Sequence, residues 1–421
     1  MARIGQVKVQ DDDSGSVRLT DRISLGVLAD LYPRDVLEDV LTETGRREKR
    51  SRSLPAHVMM RFCMAMCLFF DDDYEEVMRK LVGSLRSWGS WRGDWKVPTT
   101  SALTQARQRL SVEPLRVLFE RTAVPVAGKG TKGAWLGTRR LMAIDGFLLD
   151  LPDTPGNTEE FGKKGGEYKP SAFPQALIMA LAECGSHAII GAAITGCNGN
   201  ERLMAEQLLP AVAPDMLVTA DRHLYSFDLW RKFRETGADL LWRVGVGVSL
   251  PVLTWLPDGS YLSIAFHPKQ DKKQRAAAIR KFQKEGVVEA HRGDLVRVVD
   301  YEIPDREGSE TGELVTVMTS ILEPADVTAP ELAAAYHERW EIENTFDEIK
   351  THQRGKARVL RSQSPDMAKQ EIWAFLLAHY GVRALMCRAA DEIGEDPDRL
   401  SFMRSVRVIR RHIVSQADFS P

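Results

Sequence analysis

The chain has 421 residues, of which 43% are hydrophobic and 28% are charged, and its formal net charge is −2. This length predicts two or three domains rather than a single core. The near-neutral balance excludes a uniformly basic coat for nucleic acid, although it leaves local basic patches open.

Neither export nor membrane attachment is indicated by the sequence. The longest apolar run, Phe62 to Phe70, is shorter than the roughly 20 residues that cross a bilayer. The first residues lack the apolar core of a secretory signal, and the five cysteines lie in apolar contexts typical of reduced core thiols. We therefore expect a cytoplasmic protein without a membrane partner.

The N-terminal third of the chain is predicted to be helical. Residues 1–20 are polar and are expected to be flexible. Residues 21–126 carry apolar side chains at helical spacing, with helix-start signals at Pro55 and Thr99, and predict an all-helical domain. A Gly-rich linker is expected at residues 127–138.

The pattern changes from residue 139 onward. Short apolar runs bounded by glycine or proline alternate with amphipathic stretches, in the order three strands, helix, strand, helix, strand. Residues 246–320 are predicted to be mostly β, and two helical stretches then complete a domain that ends at residue 388. Residues 389–421 predict a C-terminal helical tail, whose basic helix is either a solvated face or a nucleic-acid contact.

One helical stretch, YHERWEIENTFDEIK, carries four distinct polar groups at regular intervals. At about 100° per residue, these groups lie within an arc of about 60°; they are Tyr336, Arg339, Glu343 and Lys350. They border an apolar stripe formed by Ala335, Ile342, Phe346 and Ile349. Because Arg339 could pair with Glu343 and Asp347 with Lys350, the helix by itself favours a surface ladder of ion pairs.

Two aspartates earlier in the chain favour an active site over a surface ladder of ion pairs. Asp145 lies inside the apolar run LMAIDGF, where an ionised carboxylate is costly unless it is paired or bound to metal. Asp221 follows the apolar run MLVTA, at a strand end where open α/β sheets present ligand groups, although helix caps are also common there. Together with Glu343, these carboxylates would repel one another. Two divalent cations would remove the repulsion and serve phosphoryl transfer.

This combination resembles the DDE transposases of the bacterial insertion-sequence-four type, within the ribonuclease H-like superfamily. The spacing of Tyr336, Arg339, Glu343 and Lys350 matches the Tyr-Arg-Glu-Lys signature of that family. The stretches AIDGFLLDLPDT and TADRHLYSFDLW resemble its first and second aspartate regions. The chain departs from the family at His223, where a small residue is expected, and this concerns the conformation of the local loop.

The resemblance implies an α/β ribonuclease H-like catalytic core, a mixed sheet flanked by helices, with a mostly β insertion and an all-helical N-terminal domain before it. It implies that Asp145, Asp221 and Glu343 are the catalytic residues and hold two Mg²⁺ ions, with Mn²⁺ as a substitute. The remaining implied site residues contact DNA phosphates: Tyr336, Arg339, Lys350 and Arg222.

The implied activity is cut-and-paste transposition on double-stranded DNA, at terminal inverted repeats and at a target, by a homodimer in the synaptic complex. Some relatives pass through a hairpin intermediate. Two alternatives stay open: a transposase-derived DNA-binding protein without strand transfer, and a ribonuclease H-like nuclease.

Four further regions could contact DNA or could have ordinary structural roles. Trp255 in the β insertion could stack on a flipped base, although a core or turn position is favoured. The basic run Thr44 to Arg52 and the helix that carries Arg107 could face the inverted repeat. Lys163 and Lys164 lie in a Gly-rich loop that either contacts DNA or is solvated.

Overall fold

The computed structural model describes most of the chain, and the predicted flexible residues 1–20 lie outside the described part. The described ranges are residues 32–49, 54–85, 97–165, 170–303, 313–353 and 359–415.

Helices form the first part of the described chain, as the apolar spacing predicts. Their bounds are α1 Arg34–Glu43, α2 Ala56–Leu68, α3 Tyr74–Leu85, α4 Thr100–Leu110 and α5 Glu113–Thr122. The start of α4 is fixed by Thr99, whose side chain accepts a hydrogen bond from the Ala102 amide at 3.3 Å, which satisfies one of the free amides of the first turn. Helix α2 is apolar on nearly all sides and is buried.

A ten-stranded sheet forms the second part of the described chain. Its strands are β1 Trp135–Leu136, β2 Arg139–Asp150, β3 Gln175–Glu183, β4 Ile189–Gly196, β5 Met216–Ala220, β6 Asp239–Arg243, β7 Thr254–Trp255, β8 Tyr261–Phe266, β9 Gly293–Ile303 and β10 Glu313–Thr319. The strand order is β4-β3-β2-β5-β6-β10-β9-β8-β7, and β1 pairs with β2. Three helices connect strands of the first half. Helix α6 Pro155–Phe161 follows β2, α7 Glu201–Glu206 follows β4, and α8 Phe227–Glu235 follows β5.

The sheet is mixed, as the resemblance implies. Strands β2, β3 and β4 form an antiparallel meander, whereas β5 pairs parallel to β2, and β6 pairs parallel to β5. The parallel strands are short and wholly apolar at their centres, which is expected where helices cover both faces of a sheet.

The predicted insertion at residues 246–320 continues this sheet, because β10 pairs antiparallel to β6 and is followed by β9, β8 and β7. It also contains a helix that the sequence reading omitted, α9 Lys272–Glu285. A capping box between Asp271 and Gln274 starts this helix, and Gly286 ends it with a positive φ of 69°, the backbone region that glycine tolerates.

Helices resume after β10. They are α10 Ala329–His337, α11 Glu341–Asp347, α12 Pro365–Asp391 and α13 Phe402–Ser415. Helix α12 is buried along most of its length and contacts α2, α5 and α13. It also continues through the predicted domain boundary at residue 388. The division of the chain into separate domains therefore stays a prediction, since the N-terminal helices and α12 share one hydrophobic core.

A buried arginine joins the N-terminal helices to α12. Arg107 is fully buried and donates to the Gln370 side chain at 2.9 Å, to Ser362 Oγ at 3.1 Å and to the Met367 carbonyl at 3.2 Å. It therefore cannot also be a groove-reading side chain, whereas Gln105 on the same helix is exposed.

Two predictions about the chain as a whole can be compared with the structure. All five cysteines are free and buried, which confirms the interpretation as core thiols. None of the helices in the described ranges combines the length and apolar composition that a bilayer crossing requires.

Candidate active site

The two aspartates lie side by side on neighbouring parallel strands. Ile144 of β2 is opposite Ala220 of β5, so Asp145 and Asp221 occupy the next position along each chain. Adjacent strands are about 4.8 Å apart, and side chains at the same level point to the same face. The strand pairing thus brings together two carboxylates that are far apart in sequence.

The segment that carries Glu343 is helical but not one regular helix. Helix α10 passes into a 3₁₀ turn, Glu338–Trp340, then into α11, and then into a π-helical turn, Glu348–Gln353. The regular 100° spacing assumed from the sequence is therefore wrong in detail, because a 3₁₀ turn is tighter and a π turn is wider than an α-helix.

The predicted apolar and polar faces of this segment are nevertheless present. The apolar stripe is buried, at Ala335, Ile342, Phe346 and Ile349. The polar groups border it as predicted: Tyr336 and Arg339 are buried, Lys350 is half-buried and Glu343 is exposed.

A direct contact joins this segment to β2. Arg339 Nη1 donates to Asp145 Oδ2 at 3.0 Å, and the Gly146 amide donates to Asp145 Oδ1 at 2.7 Å. Burial raises the pKa of Asp145, and the nearby Asp221 carboxylate adds to the rise, although Gly146 and Arg339 oppose it. The protein partners of Asp145 thus stabilise its ionised form only in part.

Glu343 belongs to the same electrostatic cluster. Desolvation raises its pKa, and the charges of Asp145 and Asp347 raise it further, whereas Arg339 and Lys350 lower it. The Glu343 carboxylate is thus an electrostatic neighbour of Asp145. Asp347, which the sequence left ambiguous, is exposed and acts on Glu343 through its charge.

An aromatic pair holds the two elements in register. The rings of Phe147 on β2 and Phe346 on α11 lie 4.4 Å apart between centroids. Lys350 Nζ lies over both rings, at 5.9 Å and 5.8 Å from their centroids. Because Phe147 follows Asp145 by two residues, this contact fixes Lys350 close to the carboxylates.

Tyr336 completes the group of predicted side chains. Burial raises its pKa, and the charge of Asp221 raises it further, against the effect of Arg339. Its hydroxyl is buried and has no hydrogen-bond partner among the described residues. A buried phenol without a partner is costly, and a phosphate oxygen is one acceptor that would satisfy it.

The carboxylates fit a hard divalent cation in chemistry. Asp145, Asp221 and Glu343 offer only oxygen ligands, which Mg²⁺ prefers. Burial raises the pKa values of Asp145 and Glu343, and a bound cation would favour their ionised forms. Their ligand atoms are not gathered as closely as in a formed site. Within the described ranges, the one group of metal-ligating side chains within 4.8 Å of one another lies elsewhere, at His187, Glu341 and Asp398.

The loop after Asp221 tolerates its unusual histidine. The Leu224 amide donates to the Asp221 carbonyl at 3.1 Å, and the Arg202 guanidinium donates to the His223 carbonyl. His223 is not among the described non-glycine residues with positive φ, so a small residue is not required there. Arg222 is exposed at the edge of the carboxylate group.

The other predicted contacts have mixed outcomes. Trp255 is 65% exposed on β7 and packs edge-to-face on Tyr261 at 5.2 Å, so it is not a core side chain. It directly precedes a turn in which the Leu256 amide donates to the Ser260 carbonyl at 2.8 Å, which agrees with the interpretation as a turn residue. Lys163 pairs with Asp153 at 2.9 Å in the loop after α6.

Sequence reasoning missed a buried ion cluster behind the segment. Glu348 accepts from Arg383 Nε at 2.8 Å and lies 3.0 Å from His379 Nε2, and all three residues are buried. On a regular helix Glu348 would lie about 100° away from the apolar stripe. The partners on α12 could not be recognised without the fold.

Two known protein families match most of the chain in sequence. Residues 22–120 match the profile of the insertion element 4 transposase N-terminal family, and residues 136–380 match that of the transposase DDE domain family. The transposase InsG for insertion sequence element IS4 of Escherichia coli K12 is 27% identical over 404 residues, which are 95% of this chain and 85% of the relative.

A solved structure also aligns with the chain. It is a piggyBac transposase synaptic complex with hairpin DNA, with a TM-score of 0.48 and 12% identity, covering 95% of this chain and 82% of the other. The family matches and the mixed sheet together confirm the predicted α/β ribonuclease H-like core.

Proposed function

The chain belongs to the transposase DDE domain family, and from that premise we propose that it carries out cut-and-paste transposition of DNA by phosphoryl transfer. Asp145, Asp221 and Glu343 are the catalytic carboxylates in this proposal. The observation that carries it is that Asp145 and Asp221 follow paired positions of β2 and β5, and that Arg339, in the segment that carries Glu343, donates to Asp145 at 3.0 Å.

The carboxylates would hold two Mg²⁺ ions, or Mn²⁺ in their place, which supply charge neutralisation at the attacking and leaving oxygens of the phosphate. This role agrees with the raised pKa values of Asp145 and Glu343, because the ionised forms lack sufficient protein partners.

The basic side chains hold the DNA strand at the same place. Arg339 presents a planar fork that suits a phosphate, and Lys350 adds a point charge from the π turn beside Phe346. The hydroxyl of Tyr336 donates to a phosphate oxygen. Arg222, exposed after Asp221, contacts the backbone at the edge of the site.

The substrates are double-stranded terminal inverted repeats and target DNA, and the active form is a homodimer in a synaptic complex. In this proposal the protein acts on chromosomal DNA and is therefore located in the cytoplasm. Exposed Trp255 offers a ring on which an unstacked base at the cut end could pack, which suits a hairpin intermediate.

The experiment is excision and joining with purified protein. A supercoiled plasmid carries the DNA that flanks the gene on both sides of a marker, and Mg²⁺ starts the reaction. The expected products are double-strand cuts at the marker ends and insertion of the freed fragment into a second plasmid.

Two results would overturn the proposal in favour of its alternatives. Specific binding of the flanking DNA without Mg²⁺-dependent cleavage would identify a DNA-binding derivative. Cleavage of the ends without any joined product, with a pre-cut fragment as the joining control, would identify a nuclease of the ribonuclease H-like type.

A further inference from the structure

Helix α9 carries a local excess of positive charge. Between Lys272 and Glu285 it has six basic residues and one acidic residue, whereas the whole chain has 57 basic and 59 acidic residues. The helix joins β8 to β9, and none of its residues belongs to the carboxylate site. Its charge is therefore a feature of the insertion itself.

One side of α9 packs on the sheet. Ala278 is buried against Ile264 and Phe266 of β8, and Ile279 packs partly buried beside them. The guanidinium of Arg275 lies over the Phe266 ring, 5.3 Å from its centroid. Because these contacts hold one side of the helix on β8, the opposite side faces solvent.

The solvent side of α9 presents a row of cations. At about 100° per residue, Lys273, Arg280 and Lys284 lie within an arc of about 40° on the side away from Ala278 and Ile279. All three side chains are exposed. At about 1.5 Å per residue, the row is roughly 16 Å long.

The row has no carboxylate partners. Within the described ranges, Lys273, Arg280 and Lys284 make no ion pair, because the nearby acidic side chains are engaged elsewhere. Lys281, on another side of the helix, lies 2.8 Å from Glu289 and 4.0 Å from Glu285. The three exposed cations are therefore available to an anionic partner.

A helix of this protein that only faces solvent has a different charge pattern. On α5, Arg116 lies between Glu113 and Glu120 and forms ion pairs with both. On α9, Arg280 and Lys284 place like charges four residues apart, a spacing that is unfavourable on a helix by itself. A negatively charged partner would remove this repulsion.

The row also lies away from the active site. Strand β8 is five strands from β2 in the sheet order, which is about 24 Å at roughly 4.8 Å per strand. The strand pairings place Tyr261 of β8 level with Ile144 of β2. From there β8 runs toward the sheet edge opposite to Asp145, and Phe266 at that edge precedes α9. Phosphates that contact α9 are therefore not those at the carboxylates.

We infer that Lys273, Arg280 and Lys284 bind the phosphate backbone of duplex DNA away from the cleaved bond, an inference that rests on the proposed action on DNA. Each strand of a duplex carries one phosphate per about 3.4 Å of helix axis, so the row faces about five phosphates. Lysine ammonium groups act as point charges on flexible stems. The contact is therefore independent of base sequence.

The test measures binding of the full chain to a fluorescent duplex of unrelated sequence, without Mg²⁺, over a range of salt concentrations. The triple variant Lys273→Gln, Arg280→Gln and Lys284→Gln should bind more than about tenfold more weakly at physiological salt. Its slope of log affinity against log salt should be smaller by roughly two to three, since three phosphate contacts are lost.

A matched control removes the same charge from two lysines and one arginine that already have carboxylate partners. This variant, Lys232→Gln, Lys369→Gln and Arg399→Gln, should keep a slope within about one of the wild-type value. Lys273→Arg with Lys284→Arg retains the charge of the row and should also keep that slope. Circular dichroism checks that all variants fold as the wild type does.

Two results would overturn the inference. The first is an unchanged salt slope in the triple variant, and the second is an equal loss of slope in the triple variant and in the matched control. Normal cleavage and joining together with either result would leave the proposed function standing. A lowered slope in a chain that neither cleaves nor joins DNA would support the inference and overturn the proposed function.

Assays of cleavage and joining identify which duplex the row binds. If it binds the element's end, the triple variant needs a higher DNA concentration for half-maximal cleavage, with an unchanged rate at saturation. If it binds the target, joining of a pre-cut end to a plasmid is slower while cleavage is unchanged. An active chain in which the triple variant alters neither assay would contradict the inference.

Discussion

Two faces of one segment, residues 336–353, shift the pKa values of their carboxyl groups in opposite directions. On the front face, which we define by Arg339 and Glu343, the pKa of Glu343 is raised and that of its neighbour Asp145 is raised as well. On the back face, defined by Glu348, burial opposes ionisation, but Arg383 and the histidine contacts hold the pKa of that carboxyl below its ordinary value.

This difference in pKa indicates a different role for each face. The back-face carboxylate has its ion partners within the protein, so its charge contributes to holding the segment on α12. The front-face carboxylates lack sufficient partners, so their charge is available for cations from solution. The raised pKa values on one face and the lowered one on the other agree with the proposal that the front face is catalytic and the back face is structural.

The largest expected effect on stability comes from the back face. Glu348→Gln should lower the free energy of unfolding by about 3 kcal/mol, because it leaves the buried charge of Arg383 uncompensated. Glu343→Gln is the matched control at an exposed position and should change stability by less than about 0.5 kcal/mol. Urea denaturation followed by circular dichroism measures both, and equal stability of the two variants would break the comparison.

The next effect is a slower cleavage rate when Arg339, which contacts Asp145, is replaced. Arg339→Gln should slow Mg²⁺-dependent end cleavage by about a hundredfold, because it removes a charged donor from the phosphate site and from Asp145. Arg339→Lys should also be slow, since a lysine cannot reproduce the planar fork. Cleavage by Arg339→Lys at the wild-type rate would show that only the positive charge matters.

A smaller effect is expected at the π turn. Lys350→Ala should slow cleavage or strand transfer by about tenfold, with a smaller loss in non-specific duplex binding. Lys232→Ala, which removes a surface lysine paired with Glu206, is the control. Equal losses in cleavage and in duplex binding for Lys350→Ala would indicate a structural lysine.

The smallest effect should come from Asp347. This side chain is exposed and reaches Glu343 only through its charge, so Asp347→Asn should change the cleavage rate by less than about twofold. A loss comparable to that of a catalytic carboxylate would add Asp347 to the active site.

Local patterns in the sequence predict most of the elements, because strand and helix periodicity depends on neighbouring residues. The strand around Asp145 and the buried stripe through Ile342 lie where the pattern places them. Helix α9 departs from the mostly β prediction for residues 246–320, although the capping box at Asp271 and Gln274 is a local signal for a helix start.

The features that the sequence does not predict depend on contacts between distant segments. The pairing of Glu348 with Arg383 and the burial of Arg107 against Gln370 require the position of α12. The 3₁₀ and π turns on either side of α11 reflect how the segment packs, and no residue type specifies them. The carboxylate site was predicted because its residues match family spacings.

The most direct measurement is the single-turnover rate of Mg²⁺-dependent cleavage at the inverted-repeat ends by Asp145→Asn, Asp221→Asn and Glu343→Gln, with end binding measured in parallel. We predict that each variant loses more than about a thousandfold in rate while it still binds the ends specifically. Mg²⁺-dependent cleavage within tenfold of the wild-type rate in any one of the three would contradict the assignment of that carboxylate.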